Sequence, residues 1–103
     1  MQKKEIYLMR HGDTGLQGRY VGASDVPLSS LGVEQTKALC AHLSTVSFDA
    51  VLCSPMARCR QSIETLDAHR DVEFYDFLRE IDFGLWERKT FSEIVREEGA
   101  REE

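Results

Sequence analysis

The sequence predicts an α/β domain built on a mainly parallel sheet. Short apolar runs alternate with segments of helical periodicity in the order strand, loop, helix, strand, helix, strand, helix. That order is the pattern of parallel strands joined by right-handed helical crossovers. The helical segments open on capping residues, and the first apolar run ends in a long polar loop with Gly12, Gly15, Gly18 and Gly22.

Ile6-Tyr7-Leu8-Met9 is the first run and reads as a buried strand. Arg10 to Pro27 is the loop; unstructured stretches of this length are usually functional or disordered. Ser29 is placed as the N-cap of the first helix, with Leu28 and Val33 as a hydrophobic staple. Val33, Thr36, Leu39, Cys40, Leu43 and Val46 then form one stripe, although Gly32 in the first turn costs helix propensity. Phe48 to Cys53 reads as a second buried strand. Ser54 at N-cap and Pro55 at the first helical position start the second helix, whose inner face is Met56, Cys59, Ile63 and Leu66. Val72 to Tyr75 is a third strand, followed by an irregular mixture of aromatics and carboxylates from Phe77 to Glu87. Thr90-x-x-Glu93 is a capping box for a last helix with Phe91, Ile94 and Val95 as its apolar patch, and the chain is almost wholly charged from Arg96 onward.

At 103 residues the chain suits one domain spanning 1–103. Apolar content of 42% and charged content of 30% fit a soluble globular protein. A net charge of -5 sets the whole molecule against nucleic acid and anionic membranes, so an anionic substrate must be held by a local cluster of cations. No apolar run approaches the roughly 20 residues that span a bilayer. Met1-Gln2-Lys3-Lys4 lacks the long apolar core of a secretory signal. Cys40, Cys53 and Cys59 are odd in number, without metal or CxxC spacing, and read as buried reduced thiols of a cytoplasmic protein.

A buried parallel strand delivers its C-terminal residues to the crevice where open α/β sheets bind ligands. Arg10 and His11 follow the first strand directly, which puts a fixed cation beside a titratable nitrogen, with Gly12 for close approach and donors at Thr14 and Gln17. Arginine grips phosphate oxygens with paired hydrogen bonds and imidazole can attack phosphorus. By spacing alone His11 is as compatible with a structural as with a catalytic role. Arg58, four residues after Ser54, falls in the first turn of the second helix, where the helix terminus also favours anions; the alternative is a solvated surface arginine. Glu80, shielded by Phe77, Phe83 and Trp86, suits a general acid. Asp82 and Glu87 are alternatives, and any of the three carboxylates can instead satisfy loop amides.

Leu8-Met9-Arg10-His11-Gly12-Asp13-Thr14 resembles the signature of the histidine phosphatase superfamily, whose fold is phosphoglycerate-mutase-like. Gly18-Arg19-Tyr20-Val21-Gly22, then Asp25-Val26-Pro27-Leu28-Ser29 and Gly32, are similar to the family's loop and first helix start. Cys53-Ser54-Pro55-Met56-Ala57-Arg58-Cys59-Arg60-Gln61-Ser62 resembles its second signature, and Leu78 to Glu87 its third. The resemblance implies a three-layer α/β/α fold, incomplete at the C-terminus. It implies phosphomonoester hydrolysis through a phosphohistidine on His11, with Arg10 and Arg58 on the phosphoryl oxygens and Glu80 as general acid and base. Thr14 and Gln17 fall where the family contacts phosphate or substrate. No metal or other cofactor is implied, since arginines supply the positive charge, and the implied partner is a small phosphorylated metabolite.

The Glu80-Ile81-Asp82-Phe83-Gly84 form resembles the phosphatase branches more than the glycolytic mutases, and the loop Gly18 to Leu28 is similar to that of α-ribazole-5'-phosphate phosphatases. Gln17 stands where the family usually has asparagine, Cys59 where it has a small residue, Ser62 where it has threonine, and Arg88 where it has glycine. The family's second active-site histidine has no match; His42 and His69 lack its strand-His-Gly context. Two other readings follow: a non-catalytic phosphate-binding or interaction module, and mutase-type phosphoryl transfer. A sheet lacking a strand exposes an edge, so pairing with another chain, as in a homodimer, is also expected.

Overall fold

The structure, a computed structural model, describes residues 5–66 and 71–101. Its sheet is two parallel strands, β1 (Val51–Cys53) and β2 (Val72–Phe74), in the register Val51 with Val72, Leu52 with Glu73 and Cys53 with Phe74. Parallel neighbours need a crossover, and a short helix (Ala57–Ser62) lies in the connection between them. In chain order it is α2: helix α1 (Ser30–His42) precedes β1, and α3 (Phe91–Arg101) closes the order. From α1 onward the strands and helices follow the predicted alternation, with each strand shorter than its apolar run. Among the described residues no helix is long and apolar enough to cross a membrane.

Two predicted caps form. The Ser29 side chain accepts from the Gly32 amide at 3.1 Å, and the Thr90 hydroxyl accepts from the Glu93 amide at 3.2 Å. The Glu93 carboxylate does not complete a capping box; it pairs with Arg19 at 3.3 Å. The start of α2 differs from expectation. Ser54 and Pro55 lie ahead of the helix and Met56 is the N-cap. The Ser54 hydroxyl accepts from the Met56 amide at 3.3 Å, a local turn, while the Ala57 amide donates to Asp25 Oδ1 at 2.7 Å. A carboxylate from the polar loop caps the helix, so its first amide is not open to a ligand.

The core gathers Val26, Leu28, Cys40, Cys53, Met56, Leu66 and Ile94. Only part of each expected stripe reaches it. On α1 the buried residues are Gly32, Thr36 and Cys40, with Leu39 partly exposed; on α3 Ile94 is buried while Phe91 and Val95 are exposed. The buried side of α2 is Arg58 and Ser62, not an apolar face through Cys59 and Ile63. The larger correction concerns Ile6 to Met9. These residues form no strand among the described ones, and Ile6 and Leu8 are 86% and 94% exposed. An apolar run is buried in a sheet only when strands flank it, and the described sheet ends with β1 and β2. Within the run, the Tyr7 ring packs edge-on to Phe48 at 5.4 Å.

Candidate active site

The loop after the first apolar run is fastened to two helices. The Gly12 amide donates to Ser62 Oγ at 3.0 Å, and that hydroxyl donates to the Arg58 carbonyl at 2.6 Å, which locks the residue after His11 onto α2. A Cβ on Gly12 would lie 2.7 Å from the Gly32 carbonyl oxygen, so only glycine lets the loop pass so close to α1. Asp13 accepts from the Gly15 amide at 3.0 Å and from the Ser29 hydroxyl at 2.5 Å, and its backbone carbonyl receives the Ser29 amide at 2.9 Å.

This fastening sets His11. Its Nδ1 lies 2.8 Å from the Gly12 carbonyl oxygen. A carbonyl only accepts, so Nδ1 carries the proton and Nε2 is the nitrogen left to react. Nε2 faces Glu80 Oε1 at 3.1 Å. The other carboxylate oxygen, Oε2, lies 3.4 Å from Arg58 Nη2. The three residues come from the loop after the first run, the turn beyond β2, and α2. His11 is 21% exposed, Glu80 40% and Arg58 0%, so the cluster opens outward from a buried guanidinium to a half-exposed carboxylate.

Arg58 is held by backbone oxygens. Nη1 donates to the Ser24 carbonyl at 2.7 Å and Nη2 to the Gly22 carbonyl at 2.6 Å. Its Nε has no hydrogen-bond partner among the described residues. Arg58 is thus a buried cation paired with a carboxylate and two carbonyls, with one donor unmet, and arginine is the side chain suited to gripping an anion.

The remaining predicted residues stand apart from the cluster. Arg10 is exposed and Thr14 half-buried, and neither joins His11, Glu80 or Arg58 by a hydrogen bond or ion pair among the described residues. Gln17 is exposed and its amide donates to Asp13 Oδ1. The three carboxylates of the third motif have different partners. Asp82 accepts from the Gly84 amide at 2.7 Å, Glu87 accepts from loop amides, and Glu80 meets His11 and Arg58. His42 is exposed on α1, and His69 lies outside the described residues.

Residues 6–103 match the family described as the histidine phosphatase superfamily, branch 1. The chain belongs to the histidine phosphatase superfamily. Within that superfamily it is 34% identical over 97 residues to the adenosylcobalamin/alpha-ribazole phosphatase of Escherichia coli (strain K12), covering 90% of this chain and 48% of that protein. It is 29% identical over 98 residues to a protein of Salmonella choleraesuis (strain SC-B67) named "Probable phosphoglycerate mutase GpmB", covering 91% of this chain and 46% of that one. Among solved structures, the alpha-ribazole phosphatase from Shigella flexneri superposes with a TM-score of 0.79 at 33% identity, over 88% of this chain and 47% of that one. The chain therefore spans about half the length of the superfamily relatives it matches, and over that half its fold is theirs.

Sequence reasoning missed the residues that hold the cluster: Asp13, Gly22, Ser24 and Ser62. Their partners lie far along the chain, 50 residues apart for Gly12 and Ser62 and 65 for Gly22 and Glu87, and no local period signals such bonds. The one available signal is Asp13 two residues before Gly15, the spacing of a side-chain-closed turn.

Proposed function

We propose that this chain carries a phosphomonoesterase site working through a phosphohistidine on His11. The convergence of His11 Nε2, Glu80 and Arg58 supports the reading above all else. In the first step Nε2 attacks phosphorus, the P–O bond to the leaving group breaks, and a protonated Glu80 gives its proton to the departing oxygen. In the second, the Glu80 carboxylate takes a proton from water, the hydroxide attacks phosphorus, and the N–P bond breaks to return free imidazole and inorganic phosphate. Arg58, with its unpartnered Nε, and Arg10 hold the phosphoryl oxygens through both steps. Thr14 and Gln17 are assigned to phosphate or substrate contact.

The substrate class is a small phosphorylated metabolite, in keeping with phosphatase-named relatives. A second reading is phosphate binding without turnover, favoured by Arg10 and Thr14 standing apart from His11, Glu80 and Arg58. Incubation with p-nitrophenyl phosphate separates the two. A phosphatase releases p-nitrophenol and leaves acid-labile phosphate on His11 in a quenched sample, and both signals vanish in His11→Ala. Turnover equal to that of the variant, with phosphate still bound, would sink the enzyme reading and leave the binding one.

A further inference from the structure

Glu87 does no chemistry in the scheme above, yet its carboxylate is the most heavily hydrogen-bonded group among the described residues. Oε1 accepts from the Gly22 amide at 3.0 Å, the Ser24 amide at 3.0 Å and the Ser24 hydroxyl at 2.7 Å. Oε2 accepts from the Gly22 amide at 3.1 Å, the Ala23 amide at 3.2 Å and the Phe83 amide at 2.8 Å. Three consecutive N–H groups aimed at one anion form a nest.

The same short segment faces Arg58 with its other polar atoms. The Gly22 and Ser24 carbonyls that receive the guanidinium belong to the residues whose amides Glu87 holds. Residues 22–24 are thus gripped by an anion on their N–H side and a cation on their C=O side. The Gly22 carbonyl and the Ala23 N–H share one peptide group, and hydrogen bonds linked through it polarise each other, so the carboxylate makes the Gly22 carbonyl a better acceptor for Arg58. Gly22 fits only without a side chain, since a Cβ there would fall 1.6 Å from the Ile81 carbonyl oxygen. The segment is therefore also pinned against the turn that carries Glu80.

We propose that Glu87 is a positioning residue for Arg58, acting through the peptide groups of residues 22–24 so that the Nε and Nη2 edge of the guanidinium faces Glu80 and the incoming phosphoryl group. The proposal rests on the reading of Arg58 as a phosphoryl-binding cation. Glu87 is unsuited to the alternative role of general acid. Its two oxygens already receive five donors, and the carboxyl is held down at about 2, burial opposing the hydrogen bonds from Ser24, Phe83 and Gly22 without cancelling them.

The test compares the full chain with Glu87→Gln and Glu87→Asp. Two quantities are read: the Arg58 side-chain resonances in a ¹⁵N-labelled sample, and the affinity for inorganic phosphate by calorimetry. Gln keeps one acceptor but loses the charge and turns an NH₂ toward three amide donors. Glu87→Gln is expected to average the Arg58 Nη resonances and to weaken phosphate binding about tenfold or more, the scale of a lost charge-assisted interaction. Glu87→Asp keeps the charge and is expected to restore part of both. A folded Glu87→Gln with wild-type Arg58 resonances and wild-type phosphate affinity overturns the proposal. Should Glu87→Gln fail to fold, Ser24→Ala removes one donor to Glu87 and leaves the carbonyl that Arg58 uses; unmoved Arg58 resonances there overturn it equally. Should the wild type bind no phosphate, the phosphoryl-site reading fails, while the resonances still decide whether Glu87 sets Arg58.

Discussion

Arg58 shows how a single buried cation can be kept. Its guanidinium has no solvent exposure, and two backbone carbonyls and one carboxylate oxygen take the place of water. Spacing along the sequence leaves Arg58 open between a surface residue and a ligand-binding one. What decides is the loop carbonyls 34 and 36 residues away, which no local pattern announces. The same holds for the three neighbouring carboxylates. Composition makes each eligible as the acid; only the path of the chain gives nearby loop amides to Asp82 and Glu87 while leaving Glu80 to His11. Glu87 also carries a pH signature. Burial pushes its carboxyl up, but hydrogen bonds from Ser24, Phe83 and Gly22 outweigh that and hold it at about 2, below the ordinary 4.5. A carboxylate depressed in the folded state contributes stability that is full above the unfolded value and is lost as pH falls through the folded one. Stability is therefore expected to fall between about pH 4.5 and about pH 2. Urea midpoints across that window should drop less in Glu87→Gln than in the wild type; parallel curves would refute the assignment.

At the scale of elements, what is legible is what short-range chemistry decides. Ser29 and Thr90 act as caps because the amides they accept from lie three residues on. Ser54-Pro55 misleads because Asp25, from a distant loop, already caps α2. Ile6 to Met9 misleads because a strand exists only with neighbours. The turn from Trp86 to Lys89 offers a test of local strain. The Lys89 amide donates to the Trp86 carbonyl at 3.0 Å, and Arg88 at the third position of the turn has φ 66°, the left-handed conformation that glycine adopts freely. Arg88→Gly is expected to stabilise the fold by about 0.5–1 kcal/mol, the relief of strain less glycine's greater unfolded-state freedom. A denaturation midpoint that falls would show that the Arg88 side chain holds the turn in some other way.

The whole molecule has an unbalanced surface. Ile6, Leu8, Leu52, Phe74, Phe77 and Ile81 are all substantially exposed. Apolar surface of this extent on a globular chain marks an interaction site or an aggregation liability. Concentration-dependent association is expected in light scattering at moderate salt, and Leu8→Lys should reduce it. A clean monomer at all concentrations would contradict this. The net charge of -5 opposes association, so lower salt should shift the equilibrium toward monomer. The parallel β-α-β order is readable from the sequence, whereas the small extent of the sheet is not, because pairing is decided between segments rather than within them.

The grip on residues 22–24 has a consequence in time. Their amide protons point at a carboxylate contributed from more than 60 residues away, and their carbonyls at a guanidinium from more than 30. No fraying of one helix or one turn releases them, because each side is fastened to a different part of the chain. In deuterated buffer the Gly22 and Ser24 amides should therefore be among the last to exchange, keeping pace with global unfolding although they sit in a loop. Loop amides are ordinarily the first to go, and here they would serve as the molecule's slowest clock.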